Sequence, residues 1–310
     1  MGFQKATRVK SKLRMALAGP SGSGKTLSAL FLAFGITGDW SKIALIDTEH
    51  GRAKFYAERS DLGTGAFLYQ EMCAPYAPDK YKQMVAEGAA AVGTDGVVIV
   101  DSFSHAWDNE GGVLDIKSAI AKQSGRNDYT AWNEAGQIQN NLVNSILSAP
   151  CHTIITLRTK MAYAMEENDR GKMVPVKLGL APIQRENVEY EFDIVMNIGT
   201  DHQAMISKDT TFLDGWSGLI TPELGTQIRD WLDNGIEPEK CADCGLTIMQ
   251  ANGRTVTEIA AGTLKTYGRK LCFACACNAM KQRKEAANAG AQTVPDGAGQ
   301  PGQPVMANRT

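Results

Sequence analysis

The stretch Gly19-Pro-Ser-Gly-Ser-Gly-Lys-Thr26 decides the fold of this chain. It follows the apolar run 13–18 and precedes residues with helical spacing, so we predict a strand, a glycine-rich turn and a helix. Glycine tolerates the backbone angles and the close approach that let several N–H groups converge on a phosphate. The start of a helix also favours an anion. The sequence therefore predicts a phosphate-binding loop over residues 19–26.

The residues of this loop have separate expected roles. Lys25 is expected to reach the outer phosphates of a nucleotide, and the Thr26 hydroxyl to bind Mg²⁺. This pattern predicts ATP with Mg²⁺ as the ligand. A glycine-rich turn with a stray lysine is the alternative, and the flanking strand and helix argue against it. The other residues that form the cradle are Gly19, Pro20, Ser21, Gly22, Ser23 and Gly24.

Acidic residues follow two further aliphatic runs. Asp101 ends the predicted strand 96–101, and a carboxylate at the carboxyl end of a parallel strand points into the crevice where ligands bind. We expect it to hold Mg²⁺ through water. Glu49 comes just past the predicted strand 42–47, and we predict that it activates the water that attacks the terminal phosphate. Asp47 competes for that role, because strand alternation lets Asp47 and Glu49 share one face.

Short aliphatic runs alternate with helical segments along the chain. This alternation predicts an α/β fold with a mostly parallel sheet. We expect a basic arm over residues 1–12, a core over 13–236, a cysteine module over 237–284 and a disordered tail over 285–310, and we predict a loop over 161–184. The predicted strands are 13–18, 42–47, 66–71, 96–101, 153–158, 189–198 and 203–207, and the predicted helices are 26–34, 79–92, 127–147 and 222–234.

Composition and charge limit the class of protein. The chain has 310 residues, 43% hydrophobic and 21% charged, which is typical of globular proteins. Its longest apolar stretch, 27–36, is too short to span a bilayer, and no signal-peptide pattern opens the chain. We therefore expect a cytoplasmic protein with no membrane partner. Residues 240–284 carry eight Lys/Arg against two Asp/Glu, a charge compatible either with nucleic-acid contact or with a solvated surface.

Five of the seven cysteines lie between Cys241 and Cys277. Cys241 and Cys244 form one C-x-x-C pair, and Cys272 and Cys275 form a second. Four thiolates predict a closed, tetrahedral structural Zn²⁺ site, and a module this small gains much of its stability from the metal. Cys277 is a spare cysteine that could replace Cys275. The basic residues nearby leave two roles open for the module, contact with the DNA backbone and docking onto a protein.

Three motifs and their separations along the chain show a family resemblance. They are residues 19–26, Ile46-Asp-Thr-Glu-His50 and Val98-Ile-Val-Asp-Ser102. Together they resemble the RecA core of P-loop ATPases. The chain is most similar to phage ATPases with this core that act in single-strand annealing or recombination. The resemblance spans residues 13–235, and the further stretches that fit it are 127–132, 157–160 and 189–193.

The resemblance implies ATP hydrolysis coupled to single-stranded DNA, with subunits in a ring or filament and each nucleotide at a subunit boundary. It implies that Glu49 is the catalytic carboxylate, that Arg158 senses the terminal phosphate and that residues 161–181 form a mobile DNA-binding loop. Relatives place a Lys-x-Arg pair late in the core to reach a neighbour's ATP. Here Lys208 is present and the arginine is absent, so Lys208 is either a trans-acting residue or an ordinary hairpin lysine.

The sequence leaves open how subunits dock, which protein is the partner and which of several functions the chain performs. The element Phe3-Gln-Lys-Ala6 resembles the subunit-docking Phe-x-x-Ala of eukaryotic and archaeal recombinases, and a single-strand-binding or replication protein is an expected partner. A motor or loader ATPase with the same core is one alternative function. A nucleotide-gated scaffold with little turnover is another. A P-loop kinase is disfavoured, because the chain lacks an arginine-rich lid segment and a kinase gives Glu49 no role.

Overall fold

The computed structural model describes residues 6–123, 127–167 and 173–291. Arg8–Ile236 forms one compact unit, and the chain from Glu237 onward belongs to a second. Within the described residues, every helix is too short or too polar to cross a membrane.

The first unit is built on one large sheet. Its strands follow the order β3-β2-β4-β5-β1-β7-β8-β9, with β6 paired to β5. The neighbours from β3 to β7 are parallel, whereas β6, β8 and β9 join the sheet antiparallel. The predicted α/β class with a mostly parallel sheet is confirmed. The strands are β1 Arg14–Gly19, β2 Ile43–Asp47, β3 Leu68–Glu71, β4 Val97–Asp101, β5 His152–Glu167, β6 Met173–Pro182, β7 Ile194–Ile198, β8 Gln203–Asp209 and β9 Ser217–Leu219.

Helices cover both faces of this sheet. Since side chains alternate along a strand, Met15 and Leu17 of β1 join one buried cluster and Ala16 and Ala18 join the other. The first cluster packs under α1 and α6, and the second under α2 and α5. The helices are α1 Lys25–Thr37, α2 Pro78–Val92, α3 His105–Asp108, α4 Val113–Ala121, α5 Asp128–Leu147 and α6 Pro222–Asp233.

Strand register places the carboxyl ends of several strands at one edge of the sheet. Gly19, the last residue of β1, is paired with Arg158 of β5. Asp47, the last residue of β2, is paired with Asp101 at the end of β4. Short apolar strands buried on both faces fix this register, because a one-residue slip would exchange the two core faces. Gly19, Asp47, Asp101 and Arg158 therefore lie at the same edge.

Several elements of the first unit differ from the predictions. Within the segment 161–184 that was predicted as a loop, β5 continues to Glu167 and pairs antiparallel with β6, which begins at Met173; this pair is the β5–β6 hairpin. The predicted strand 189–198 is a 3₁₀ turn, Val188–Glu191, followed by β7. Glycine, lysine and proline in the first segment indicated a loop, but backbone pairing with a neighbouring strand outweighs these local preferences. The helices α3 and α4 and the strand β9 were not predicted.

The second unit is small and has its own core. Its helices are α7 Val256–Tyr267 and α8 Phe273–Ala291. A capping box begins α7, with the Thr255 and Glu258 side chains each accepting a hydrogen bond from the other's backbone N–H. Among the described residues of this unit, the buried hydrophobic ones are Cys241, Ile248, Ile259, Ala260 and Leu271. Because α8 continues past Lys284 to Ala291, residues 285–291 are helical rather than disordered, and residues 292–310 of the predicted tail lie outside the described residues.

One buried histidine makes the stability of the first unit depend on pH. His152 starts β5, and its Nδ1 accepts a hydrogen bond from the Leu13 N–H at 3.0 Å. Burial, helped by the Lys12 and Arg14 charges, lowers the pKa of His152 from 6.5 to about 3. Between these values the unfolded chain binds the proton and the folded chain does not, so stability falls as the pH falls.

We predict that acidification from pH 7.5 to pH 5 lowers the free energy of unfolding by about 2 kcal/mol through His152 alone. In His152→Asn the amide oxygen can still accept from Leu13 but does not titrate, so this part of the pH dependence should disappear. Urea unfolding at the two pH values measures it, with exposed His50→Asn as the control. An identical pH dependence in wild type and His152→Asn would contradict the prediction.

Candidate functional site

The glycine-rich turn connects β1 to α1 and has the backbone angles that a phosphate-binding loop needs. Gly22 and Gly24 have φ of 81° and 89°, in the left-handed region that side chains disfavour. Gly19 is also constrained, because a Cβ there would lie 2.5 Å from the Ile198 carbonyl oxygen. The His202 ring packs over Gly24, with its Nδ1 3.1 Å from the Ser23 carbonyl oxygen. The loop is thus held from β7 and from the turn that follows it.

Lys25 begins α1 and folds back over this loop. Its ammonium donates hydrogen bonds to the carbonyl oxygens of Gly19 and Pro20, at 2.9 and 2.8 Å. The residue is only 7% exposed. Burial lowers the pKa of Lys25, and the charges of Asp101 and Glu49 oppose that shift. The site therefore holds a buried cation next to two carboxylates.

Asp101 lies against the start of the same helix. Its Oδ2 accepts from the Thr26 hydroxyl at 2.6 Å, and its Oδ1 accepts from the Thr156 hydroxyl at 2.5 Å. Asp101 is 2% exposed, and burial raises its pKa while the two hydroxyl hydrogen bonds act in the opposite direction. A carboxylate and a hydroxyl in contact are oxygen ligands of the type that Mg²⁺ takes. The residues present fit a magnesium ion.

The structure gives Asp47 and Glu49 different surroundings. Asp47 is fully buried, and its Oδ1 accepts from the Glu49 N–H at 2.6 Å. Its Oδ2 accepts from the Ala53 N–H at 3.0 Å and from the Tyr69 hydroxyl at 3.2 Å. Asp47 therefore closes the turn after β2, whereas the Glu49 side chain lines the cavity beside the glycine loop.

Two arginines and a buried histidine surround Glu49. The Glu49 carboxylate lies 3.8 Å from Arg52 and 3.8 Å from Arg158. Arg158 also contacts the His105 ring at 3.0 Å, and that ring contacts the Thr48 hydroxyl at 2.7 Å. The sequence predicted a role for Glu49 and the family resemblance one for Arg158, whereas His105, Thr48 and Arg52 were not predicted. A single histidine early in a helix gives no pattern that separates it from a core residue.

A cavity of about 670 Å³ lies beside Glu49 and the glycine loop, a size typical of small-molecule sites. Its lining includes the charged and polar side chains of Lys25, Thr26, Glu49 and Asp101. Apolar and aromatic side chains also line it, namely Phe31, Phe55, Tyr56, Leu219 and Ile220. The cavity therefore offers both charged and apolar contacts, as a nucleotide requires.

Lys208, the remaining predicted site residue of the first unit, lies away from the glycine loop. Lys208 is near the end of β8, which runs antiparallel to β7, so it lies toward the edge of the sheet opposite the glycine loop. Its ammonium donates to the carbonyl oxygens of Tyr190 and Phe192, the latter at 2.6 Å. The structure does not bring Lys208 together with Lys25 and Glu49, and its trans-acting role stays a prediction. Phe3 lies outside the described residues.

Four cysteines come together in the second unit. The Sγ atoms of Cys241, Cys244, Cys272 and Cys275 all lie within 4.8 Å of one another. Those of Cys244 and Cys272 are 3.8 Å apart, and tetrahedral Zn²⁺ with bonds of about 2.3 Å places its sulfurs about 3.8 Å apart. These four residues can hold a metal ion, and the structure groups Cys275 rather than Cys277 with the other three.

Ion pairs engage part of the positive charge next to this cluster. Arg269 binds Asp243 through two hydrogen bonds of 2.6 and 3.0 Å. Lys270 binds Glu239 at 2.7 and 3.0 Å. Each of these pairs connects the segment between α7 and α8 to residues near the first cysteine pair. Arg269 and Lys270 therefore contribute less net charge to the surface than the sequence suggested.

The fold and the glycine-loop site define a P-loop NTPase, a class with a nucleotide-hydrolysing function. The chain belongs to the AAA domain family, whose sequence pattern matches residues 11–220. The match covers the first unit from before β1 through β9. None of the curated proteins matches the chain.

We predict that Lys25→Met lowers affinity for nucleotide by about tenfold or more, because charge-assisted hydrogen bonds to phosphate are lost. Methionine is flexible and apolar, so it can occupy the buried position of the Lys25 side chain without unfolding the loop. Titration with a fluorescent ATP analogue and Mg²⁺ measures the effect. Lys12→Met is the control, since Lys12 lies before the start of β1 and pairs with Asp95 at 3.2 Å. Wild-type affinity in Lys25→Met would contradict the role of this residue.

We also predict that the full chain binds one zinc ion, and that Cys244→Ser removes it. Zinc content by atomic absorption measures this, and Cys277→Ser is the control that should keep the metal. Removal of zinc by a chelator should unfold α7 and α8, because the buried hydrophobic core among the described residues of this unit has only five members. Full helicity after chelation, or zinc loss in Cys277→Ser alone, would contradict the assignment.

Proposed function

We propose that the protein is an ATPase that binds single-stranded DNA and acts in recombination or annealing. The observation that carries the ATPase assignment is the Glu49 carboxylate, which lines the same cavity as Lys25 and Thr26. The AAA domain match supports nucleotide hydrolysis. The DNA-binding part is supported by the resemblance of the motifs to phage ATPases with a RecA core.

In this proposal Thr26 and Asp101 hold Mg²⁺, Asp101 through water. The ion, when bound, neutralises charge on the outer phosphates. The glycine-loop N–H groups and the buried Lys25 ammonium bind the triphosphate and orient its terminal group. Thr156 keeps the Asp101 carboxylate fixed from the side opposite Thr26.

Glu49 is the proposed general base that orients and deprotonates the attacking water. Asp47 is a poorer candidate, because both of its oxygens already accept hydrogen bonds inside the protein. Those same bonds fix the turn that carries Glu49. Asp47 thus serves as a positioning residue for Glu49 in this account.

Arg158 is the proposed contact to the terminal phosphate. It lies on β5 beside Gly19 and 3.8 Å from Glu49. The same strand continues into the β5–β6 hairpin, the segment proposed to meet DNA. A phosphate contact and a DNA contact on one continuous strand offer a direct route for coupling the two. Arg170 and Lys172, two basic residues of the segment 161–181, lie outside the described residues.

We further propose that the protein works as a homo-oligomer, either a ring or a filament, and that the cysteine module holds structural Zn²⁺. The module would contact the DNA backbone or a single-strand-binding or replication protein. Arg269 and Lys270 are engaged in ion pairs within the module. This favours a protein partner over the DNA backbone more than the count of basic residues in the sequence does.

We predict that Glu49→Gln lowers ATP turnover by about a hundredfold or more while ATP affinity stays near wild type, because glutamine cannot accept the proton. A coupled-enzyme assay and an ATP titration measure the two quantities. Glu71→Gln is the control, since Glu71 ends neighbouring β3 and pairs with Lys54 at 3.3 Å. Unchanged turnover in Glu49→Gln would remove Glu49 from the mechanism.

ATP turnover measured with and without single-stranded DNA, together with a strand-annealing assay, distinguishes the candidate functions. We expect DNA to stimulate turnover, and we expect the protein to anneal complementary strands. Sustained unwinding would indicate a motor instead, and full biological activity in Glu49→Gln would indicate a nucleotide-gated scaffold. ATP turnover that does not change with DNA, together with no DNA binding, would contradict the DNA-binding part of the proposal and leave its ATPase part intact.

A further inference from the structure

His105 is a buried residue whose two ring nitrogens both have partners. It begins α3, four residues past Asp101, and is 4% exposed. Its Nδ1 lies 2.7 Å from the Thr48 hydroxyl, and its Nε2 lies 3.0 Å from Nη1 of Arg158. The ring therefore connects the residue before Glu49 with the arginine beside Glu49.

The partners determine which nitrogen carries the proton. A guanidinium only donates, so Nε2 of His105 must accept from Arg158. The proton is then on Nδ1, which donates to the Thr48 hydroxyl. That hydroxyl also accepts from the Ser102 N–H at 2.8 Å and donates to the Ser102 carbonyl oxygen at 3.1 Å. The neutral ring with Nδ1–H satisfies all of these polar atoms at once.

This arrangement restricts Arg158. Its backbone N–H donates to the Ser104 hydroxyl at 2.9 Å, so α3 and the turn before it hold both its main chain and its side chain. The side chain is 44% exposed and would otherwise sample many rotamers at little cost. With Nη1 held by His105, Nε lies 3.8 Å from the Glu49 carboxylate.

We propose that His105 is a positioning residue that holds the guanidinium of Arg158 beside Glu49, at a fixed place facing the terminal phosphate. The inference rests on the proposed ATPase function and adds a residue that does not line the cavity. A cation fixed before the reaction stabilises developing charge without having to reorganise. His105 would therefore act on turnover and have little effect on nucleotide binding.

The charges around the ring keep it in the required form. Burial and the Arg158 charge lower the pKa of His105, while Glu49 and Asp108 act in the opposite direction. The Tyr76 ring packs at 5.1 Å on another side. Protonation would remove the acceptor for Arg158 and place a second cation beside it. A neutral ring at neutral pH thus keeps the arginine in place.

Two substitutions in the full-length protein test the proposal. His105→Phe keeps the ring volume against Tyr76 but has no acceptor, and His105→Gln offers an amide oxygen to Arg158 without titrating. We expect kcat to fall about ten- to a hundredfold in His105→Phe, with ATP affinity and Tm near wild type. We expect His105→Gln to recover most of this loss. In an Arg158→Gln background, His105→Phe should cost nothing further, because the two residues act as a unit.

Several results would overturn the proposal. They are wild-type kcat in His105→Phe, an added loss in the Arg158→Gln background, and equal losses of kcat, ATP affinity and Tm in both variants. If His105→Phe does not fold, the pH profile decides. His105→Gln should then retain turnover at acidic pH values where wild type loses it, and identical profiles would count against the role. No ATP turnover in wild type would instead refute the proposed ATPase function itself.

Discussion

The site depends on one buried carboxylate held between two strands and a helix. Asp101 accepts hydroxyl hydrogen bonds from Thr26 at the start of α1 and from Thr156 on β5. A charged group with 2% exposure is tolerated only when it is paired and hydrogen-bonded. The nearby Lys25 ammonium supplies the opposite charge. This small cluster joins β4, β5 and the glycine loop, so the sheet edge and the phosphate site form together.

The other groups of the site are placed relative to this cluster by strand register. Asp47 is paired with Asp101 across β2 and β4 and uses its own carboxylate to hold the turn that presents Glu49. Arg158 follows Thr156 by two residues on β5, so both side chains lie at the same edge of the sheet. Backbone geometry thus determines the spacing between the proposed base, the metal ligands and the arginine.

Much of this site could be predicted from the sequence because its signals are local. The glycine loop between a strand and a helix is one such signal, and an acid at the end of an aliphatic run is another. Each signal is contained within a few consecutive residues. The contacts of Thr156 and His105 could not be predicted, since they join residues about fifty positions apart in the chain. The β5–β6 hairpin was missed for a similar reason, because its pairing overrides a loop-like composition. The cysteine cluster was predictable because two C-x-x-C pairs in one short segment are typical of a single four-thiolate metal site.

We expect this sheet edge to bind a nucleotide together with Mg²⁺. Calorimetric titration of the full chain with a non-hydrolysable ATP analogue, in Mg²⁺ and then in a chelator, tests this most directly. We predict one nucleotide bound per chain with Mg²⁺ and clearly weaker binding without the metal. Absence of binding in Mg²⁺, or equal affinity with and without the metal, would contradict it.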